Sequence, residues 1–513
     1  ATGVPVAEVA ADGVTWVHRY DGLLRPTRHE RRATPLGLSD GNVTTIAYEL
    51  GGPLHDDASP VDSALRVRTT APDGQRVTVD YAATQQPMQR AWWGMQTLDE
   101  VPYTLVGPGG EVYESTHYDT RGRVARTSLP TWATEQPAGY TTTEYDGLSR
   151  VQAVEHPHGT TERWSYGVLS RGLETAHTDE RDLVTRTQTD QAARVVVTLD
   201  ATGTSTCFTH GPFGVLREVR RDCNDPSSPW VSTFTHDVAG RILSESDPSF
   251  GKRRYEYDGF GQVVEVTPAD EAPVTFDYDG LGRLRVRHDA DGDTVHTYDV
   301  VRPGYLHESE SPDGIVTRYG YDASGRLESL TLVDLLLTVP GALELRYEHG
   351  VGDRLEALTY PAVDGEPEIR IDYHYDDIGN LRRVERAGGP LLWAALAANE
   401  AGQLERERFG NGLDTRRTHE PLTGRPTSIE TVGPAAKVQH LTYGWHPFGE
   451  LEHRTDELHD QSEVFLYDDL RRLRQATVTR GLETGVVDVD YDTVGNILGK
   501  TGVGSYAYDG GRL

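Results

Sequence analysis

The paired acidic residues of this sequence are its first candidates for chemistry. Hydrolysis of a glycosidic bond uses two carboxyl groups that flank the bond, and the sequence offers Asp376-Asp377 and Asp468-Asp469. Adjacent residues of a strand point to opposite faces of a sheet, so neither pair can flank one bond. We interpret both pairs as turn residues. A polysaccharide-processing enzyme stays an alternative that would need carboxylates from separate strands in one cleft.

Metal-binding patterns are incomplete. Residues 289–293, Asp-Ala-Asp-Gly-Asp, begin like a calcium loop, whose oxygen ligands alternate along the chain. Such a loop also needs glycine at its sixth position and a bidentate acid at its twelfth, where this sequence has Thr294 and Val300. The 19 histidines are dispersed, without the His-Glu-x-x-His or Cys-x-x-Cys spacing of zinc sites. We therefore predict no metal and no cofactor.

The sequence also lacks two common catalytic motifs. Ser170 lies between Gly167 and Gly172, at a spacing that differs from the Gly-x-Ser-x-Gly of a nucleophile elbow. A phosphate-binding Gly-x-x-x-x-Gly-Lys-Ser/Thr segment does not occur either. We therefore predict that the chain is not an enzyme.

Composition argues against two classes of partner. The 513 residues contain 50 Lys+Arg and 80 Asp+Glu, a net charge of -30. Nucleic acids and anionic membranes are bound by clustered cations, which this balance disfavours. Apolar runs also fall short of the roughly 20 residues that a membrane helix needs. We predict no nucleic-acid partner and no membrane insertion by this chain.

The two cysteines, Cys207 and Cys223, are too few for a disulfide scaffold. Within the chain they could pair only with each other. The sequence leaves a disulfide and a pair of free thiols open as alternatives.

A recurring segment with the template Tyr-Asp-x-x-Gly-Arg-Leu contains many of the acidic residues. Copies begin at residues 118, 145, 236, 257, 278, 321, 375, 467 and 491, and a copy shortened by one residue begins at 508. We assign a structural role to these motif residues: Tyr118, Asp119, Gly122, Arg123, Tyr145, Asp146, Arg150, Tyr257, Asp258, Gly261, Tyr278, Asp279, Gly282, Arg283, Tyr321, Asp322, Gly325, Arg326, Tyr375, Asp376, Gly379, Tyr467, Asp468, Tyr491, Asp492 and Gly495.

The spacing of the copies indicates one β-hairpin per repeat. Positions 236, 257 and 278 follow one another at intervals of 21 residues, and two strands of about seven to nine residues with two short turns have this length. In the turn, the Asp carboxylate can accept backbone N–H groups and glycine can adopt a positive φ. The Arg could pair with the Asp of its own hairpin or of a neighbouring one, and the spacing leaves both open.

The number of repeats constrains the architecture. A period of 21 divides the 513 residues into roughly 24 hairpins, or on the order of 45 strands, more than an open twisted sheet usually holds. The sheet must therefore curl or wind. A β-helix, a propeller and a continuous spiral of hairpins around a cavity all satisfy this requirement.

These copies resemble the YD-repeat proteins, also called RHS-repeat proteins, which include shell components of bacterial toxin complexes and the extracellular teneurins. Residues 393–412 and 421–429 also resemble a segment of bacterial RHS toxins. The resemblance implies an all-β fold, a long spiral of consecutive antiparallel hairpins that forms a hollow shell or cocoon. It is strong from 112 to 513, the predicted repeat shell. It is weaker in 1–111, a predicted β region that starts or caps the shell.

The same resemblance implies a function. Shells of this family enclose a toxin or effector polypeptide, usually the C-terminal part of the same chain, and shield it before delivery. A further shell-closing or delivery subunit and a secreted or cell-surface location in bacteria are also implied. The chain stops inside a repeat, so we expect a fragment of something longer. The family's cleavage element, Asp-Pro-x-Gly, has no match at the expected place, and Asp247-Pro248 is interpreted as a turn.

An adhesion or recognition module is the alternative function. Tyrosine and tryptophan side chains on the outer wall could bind glycans or a partner protein. Trp92, Trp93 and Trp164 lie outside the repeat template and are the candidates for such a surface.

Overall fold

The computed structural model describes residues 7–9, 15–21, 25–32, 39–50, 65–71, 76–81, 87–93, 111–132, 134–228, 230–334, 342–363, 365–376 and 379–508. Within these ranges the chain forms 43 β-strands and two short 3-10 turns, Pro212–Gly214 and Val351–Asp353. None of the described residues belongs to a helix that is long and apolar enough to cross a membrane.

The first strands are β1 Ala7–Val9, β2 Thr15–Tyr20, β3 Pro26–Arg32, β4 Ser39–Leu50, β5 Leu65–Thr70, β6 Arg76–Tyr81, β7 Pro87–Trp93, β8 Glu111–Tyr118, β9 Val124–Ser128, β10 Thr131–Trp132, β11 Tyr140–Tyr145, β12 Val151–Glu155, β13 Thr161–Leu169, β14 Gly172–Thr178, β15 Val184–Asp190, β16 Val195–Leu199, β17 Ser205–His210, β18 Leu216–Arg221, β19 Val231–His236, β20 Ile242–Asp247, β21 Gly251–Tyr257 and β22 Val263–Thr267. The later strands are β23 Val274–Tyr278, β24 Leu284–Asp289, β25 Gly292–Tyr298, β26 Leu306–Glu310, β27 Ile315–Tyr321, β28 Leu327–Asp334, β29 Ala342–His349, β30 Leu355–Tyr360, β31 Ile369–Tyr375, β32 Leu381–Arg386, β33 Leu391–Ala398, β34 Leu404–Phe409, β35 Asp414–His419, β36 Pro426–Val432, β37 Lys437–Trp445, β38 Leu451–Asp456, β39 Gln461–Tyr467, β40 Leu473–Arg480, β41 Glu483–Tyr491, β42 Ile497–Lys500 and β43 Gly504–Ser505.

Alternation of side chains explains why these segments are strands. In β21, Tyr255 and Tyr257 are half-buried, while Arg254 and Glu256, which alternate with them, are exposed. This period of two is that of a sheet with one covered face. Strand β33 differs, because the consecutive residues 394–396 are all buried, so this strand is covered on both faces.

Strands pair antiparallel in the order of the chain. In one hairpin, β13 pairs with β14 from Arg163 opposite Thr178 to Leu169 opposite Gly172, and β14 then pairs with β15. Strand β8 departs from this order, because it pairs with both β9 and β10. The predicted all-β fold of consecutive antiparallel hairpins is confirmed.

The register shifts at the motif tyrosines. Asp277 lies opposite Val286, but Tyr278 lies opposite Leu284, so one residue of β24 has no partner. The same shift precedes Tyr145, Tyr257, Tyr321, Tyr375, Tyr467 and Tyr491. A β-bulge bends its strand and increases the local twist. Each of these repeats therefore introduces a bend at the same point of its hairpin.

The chain divides into two compact units. The first unit comprises residues 1–141 and 294–439, and the second comprises 142–293 and 440–513. Within the first unit, Arg31 of β3 forms an ion pair with Asp353, although the two residues are 322 positions apart. Within the second unit, Arg471 pairs with Glu180 at 2.9 Å. The predicted division into residues 1–111 and 112–513 stays a prediction.

Cys207 and Cys223 are joined by a disulfide, with Cα atoms 5.9 Å apart. The bond ties β17 to the segment that follows β18. The two cysteines are 16 residues apart in the sequence. Closing a loop of about this size removes enough conformational freedom from the unfolded chain to stabilise the fold by about 3 kcal/mol.

We predict that the double substitution Cys207→Ser and Cys223→Ser lowers the free energy of unfolding by about 3 kcal/mol. Urea unfolding of the oxidised protein and of the variant measures this loss. A reducing agent should bring the unsubstituted protein to the midpoint of the variant. Equal midpoints for the oxidised protein and the variant would contradict the prediction.

Candidate functional site

The repeat turn is the most frequent arrangement of polar side chains in the described residues, and residues 278–283 illustrate it. Oδ1 of Asp279 accepts the backbone N–H groups of Leu281 and Arg283, both at 2.9 Å. Oδ2 of the same carboxylate accepts Nε–H of Arg283 at 2.7 Å. Gly282, with φ of 81°, donates its N–H to the carbonyl of Asp279. The carboxylate therefore satisfies the turn backbone and the arginine at once.

This geometry settles the partner of the motif arginine. It is the Asp four residues earlier in the same turn, and the pairs are Asp119 with Arg123, Asp146 with Arg150, Asp190 with Arg194, Asp237 with Arg241, Asp322 with Arg326 and Asp468 with Arg472. In other copies Asn380 takes the place of the arginine beside Asp376, and Asn496 does so beside Asp492. The turn at Asp258 differs, because Gln262 donates to the carbonyl of Gly282 instead.

The pair Asp190 and Arg194 was missed by the sequence template. Its turn lacks both the preceding tyrosine, replaced by Thr189, and the glycine, replaced by Ala193 with φ of 60°. The spacing Asp-x-x-x-Arg at the end of an alternating segment is the signal that would have identified it.

Each turn is also bound to the next repeat. The hydroxyl of Tyr278 donates to the carbonyl of Val263 at 2.8 Å. The same bond links Tyr166 to Val151, Tyr257 to Ile242, Tyr321 to Leu306, Tyr467 to Leu451 and Tyr491 to Leu473. Several motif guanidinium groups lie over the ring of the next tyrosine, at 4.0 Å for Arg150 over Tyr166 and 4.6 Å for Arg241 over Tyr257.

Replacing Tyr257 with phenylalanine is expected to lower the free energy of unfolding by about 1 kcal/mol, because the carbonyl of Ile242 loses its donor. Tyr278→Phe should cost about as much, because the carbonyl of Val263 loses its donor in the same way. In a double-mutant cycle, Arg241→Gln and Tyr257→Leu should couple by about 0.5 to 1 kcal/mol, because leucine removes the ring of the cation–π contact. Urea unfolding measures these values, and additive effects would contradict the contact.

The turn carboxylates ionise easily. The backbone N–H and then the guanidinium of Arg123 lower the pKa of Asp119 to about 2. The pKa values of Asp146, Asp237 and Asp279 are lowered in the same way, each by the backbone N–H and the guanidinium of the arginine in its own turn. For Asp190 the arginine side chain contributes most to the lowered pKa. Burial opposes ionisation of Asp322 and Asp468, but hydrogen bonds outweigh it and their pKa values are also lowered.

The described members of the acidic segments considered for catalysis or calcium binding are bonded to neighbouring groups. Asp468 is held by its own turn, and Asp376 is buried and bonded to Asn380, while the neighbouring residue 377 lies outside the described residues. Of the calcium-like segment, Asp289 pairs with Arg287 and Asp293 with His288. These carboxylates are thus engaged by basic side chains.

The aromatic candidates lie in different settings. Trp164 is half-buried and its ring stacks on His177, with centroids 4.7 Å apart. Trp92 and Trp93 belong to β7, and their side chains lie outside the described part of the structure.

Exposed apolar side chains occupy the tips of successive motif turns in the second unit. Val238 stands one position after the motif Asp of its turn, and Phe260 and Leu281 stand two positions after theirs. The exposed fraction is 102% for Val238, 94% for Phe260 and 76% for Leu281. The Asp carboxylate accepts the backbone N–H groups of the turn, so the turn does not require a particular side chain at its tip. No pattern in the sequence indicated this row.

A second polar cluster, which the sequence analysis also missed, contains His156, Glu162, His177 and Glu180. The Nε2 atom of His156 lies 2.8 Å from Oε1 of Glu162. The Nε2 atom of His177 lies 2.6 Å from Oε2 of the same carboxylate. Burial opposes ionisation of Glu162, but the hydrogen bonds from both histidines outweigh it, so its pKa is lowered. The intervals between these residues follow no metal-binding motif, since strand register brings them together.

Comparisons with known proteins give matches of three kinds. The sequence model of the family described as RHS Repeat matches residues 236–273 and 257–294. The Double-stranded DNA deaminase toxin A of Burkholderia cenocepacia (strain H111) is 24% identical over 419 residues, or 67% of this chain and 28% of that protein. The structure of the Photorhabdus luminescens Tc holotoxin pore matches with a TM-score of 0.77 at 15% identity, over 98% of this chain and 33% of that chain.

A crystal structure of TcdB2-TccC3 is similar to the same degree, with a TM-score of 0.77 at 15% identity over 98% of this chain and 31% of that chain. This chain therefore spans about a third of the proteins that it matches in structure. At this identity the similarity concerns the fold, and it extends over nearly all of the chain.

Proposed function

We propose that this chain, an RHS-repeat protein with the fold of a toxin-complex shell, encloses a toxin or effector polypeptide and shields it before delivery. The observation that carries the proposal is the extent of the fold similarity. It covers 98% of the chain, so the repeats that the structure describes have counterparts in a toxin complex.

The proposed mechanism is exclusion by a continuous wall. Neighbouring strands of a sheet lie about 4.8 Å apart, which leaves no opening for another polypeptide where pairing is unbroken. The tyrosine bonds between successive turns tie the repeats together. A protease outside such a wall would have no access to a chain inside it. The wall itself would perform no chemical step, and any enzymatic activity would belong to the cargo.

The partners follow from this mechanism. The cargo would be a toxin polypeptide, carried in the same polypeptide or in another chain, and a further subunit would close or deliver the shell. The similarity to a deaminase toxin supports an enzyme as cargo, without identifying its activity. Release outside a bacterial cell or at its surface fits a wall that protects its contents in transit.

Single-particle imaging of the native particle, combined with intact mass, tests the proposal. We expect a hollow wall that encloses density beyond these 513 residues. Protease treatment should leave the enclosed segment intact until the wall is unfolded by urea, and the unfolded sample is the control for cleavability. A particle without a lumen, or an effector segment cleaved at the same rate before and after unfolding, would contradict encapsulation.

The exposed apolar row at Val238, Phe260 and Leu281 favours the adhesion or recognition module as a second candidate. Exposed apolar patches are typical of protein-binding surfaces. A particle without a lumen, with loss of partner or cell binding when Phe260 is replaced by aspartate, would support this function instead. The stacking of Trp164 on His177 leaves less of this ring available to a ligand.

A further inference from the structure

We propose that His156, Glu162 and Glu180 bind a divalent transition metal ion, for which zinc has the best-matched ligand chemistry. This site is independent of encapsulation. The three residues each offer one ligand atom, and these atoms lie within 4.8 Å of one another.

Two turns at one end of the sheet, together with strand β13, bring these residues together. His156 takes the position of the motif Asp, because its N–H donates to the carbonyl of Thr160 and its carbonyl accepts the N–H of Gly159. These two bonds are the same as those of the repeat turn. Glu162 is the second residue of β13. Glu180 is in the turn between β14 and β15, at the same end of the sheet as His156.

The distances are close to those of a metal site. Zinc binds nitrogen and carboxylate oxygen at about 2.0 to 2.2 Å, so tetrahedral ligand atoms lie about 3.3 Å apart. Nε2 of His156 is 2.8 Å from Oε1 of Glu162 and 3.9 Å from Oε1 of Glu180. One distance must open and the other close by about half an ångström. The two glutamate oxygens lie within 4.8 Å of each other, so rotation of the side chains must also bring them together around the ion.

The second oxygen of each carboxylate is held by its own donor. Oε2 of Glu162 accepts Nε2–H of His177 at 2.6 Å, and Oε2 of Glu180 accepts a guanidinium N–H of Arg471 at 2.9 Å. These bonds leave both Oε1 atoms facing His156. Donors of this kind orient ligands in metal sites and raise the affinity for the ion. Stacking of Trp164 on His177 fixes the plane of that ring.

The ligand types select the class of ion. Imidazole nitrogen favours zinc, copper, nickel and iron, whereas calcium and magnesium prefer sites built of oxygen. The two carboxylates balance the charge of a divalent ion. Three protein ligands leave a fourth tetrahedral position for water, and the half-buried side chains of His156 and Glu162 keep the site accessible.

A simple histidine–carboxylate hydrogen bond occurs elsewhere in the described structure and provides a matched control. His374 lies 2.8 Å from Oε1 of Glu385, the same separation as that of His156 and Glu162. Among the described residues, His156, Glu162 and Glu180 are the only group of three such ligands that lie within 4.8 Å of one another. The pair at His374 should therefore bind no metal.

Equilibrium dialysis of the tag-free 513-residue protein against zinc chloride tests the site. We expect one zinc ion per chain, bound about 100-fold more weakly after His156→Gln with Glu180→Gln, and about 10-fold more weakly after His177→Gln. His374→Gln should leave the affinity unchanged. Circular dichroism of each variant confirms that it is folded.

Several other results would overturn the proposal. Zinc affinity that is unaffected by the double variant, or reduced equally by His374→Gln, would show that the cluster is not the ligand set. Displacement of zinc by an equal concentration of calcium would contradict the assigned class of ion. Cobalt bound at the site should give the visible absorption of a tetrahedral ion, and its absence would contradict the proposed geometry.

Discussion

Replacing Gly172 with alanine is expected to lower the free energy of unfolding by about 4 kcal/mol. Gly172 begins β14 and lies between Leu169 and Asp190 of the adjacent strands. A Cβ atom there would lie 1.6 Å from the carbonyl oxygen of Thr189 and 2.7 Å from its carbonyl carbon. Because these are backbone atoms, the strand itself would have to move. Urea unfolding measures the loss.

Gly147→Ala is the matched control, since a Cβ atom at Gly147 would meet no atom within 4 Å. Both substitutions add one methyl group to the second unit. We expect the control to change the free energy of unfolding by less than about 1 kcal/mol. Similar urea midpoints for the two variants would show that the close approach of strands at Gly172 does not limit the fold.

Acidification from about pH 4.5 to about pH 2 is expected to lower the free energy of unfolding. The carboxylates of Asp146, Asp190, Asp237 and Asp279 have folded-state pKa values below the ordinary 3.8, and that of Asp119 is lowered to about 2. A depressed pKa contributes stability that is fully present above the unfolded value and is lost as the pH falls through the folded value. Because the same pair recurs in several turns, the losses add up as the pH falls.

The urea midpoint measured across this range checks the acid transition. Asp119→Asn should lower the midpoint at pH 7, because the carboxylate no longer binds Arg123, and should weaken its dependence on pH near 3. At pH 2 the variant and the unsubstituted protein should approach each other. A midpoint that stays constant down to pH 2 would contradict the assigned role of the turn carboxylates.

The sequence predicted the features that depend on contacts between residues close together in the chain. The template around Asp279 and Gly282 predicted the turn, because every bond of the turn closes within five residues. The alternation of β21 predicted the strand. The family resemblance added the shell-like winding, which local patterns left open among three architectures.

The features that were missed depend on register between strands. His156 and Glu180 meet because β13 and β14 pair at a particular register, which no spacing along the chain encodes. The ion pair of Arg31 with Asp353 likewise joins segments that the repeat period does not relate. The turn at Asp190 was missed for a different reason, since its geometry survives the loss of two template residues.

The short range of the repeat contacts has a consequence for folding. A motif tyrosine reaches back 15 residues to its acceptor, so a hairpin needs only its predecessor to complete its bonds. Low contact order of this kind permits rapid folding, and repeat arrays can propagate from any folded unit. We expect the hairpins to fold one after another as the chain emerges from the ribosome. Each new hairpin would pair with the folded hairpin before it. The contact of Arg31 with Asp353, 322 residues apart, would then have to wait until the later segment has been synthesised.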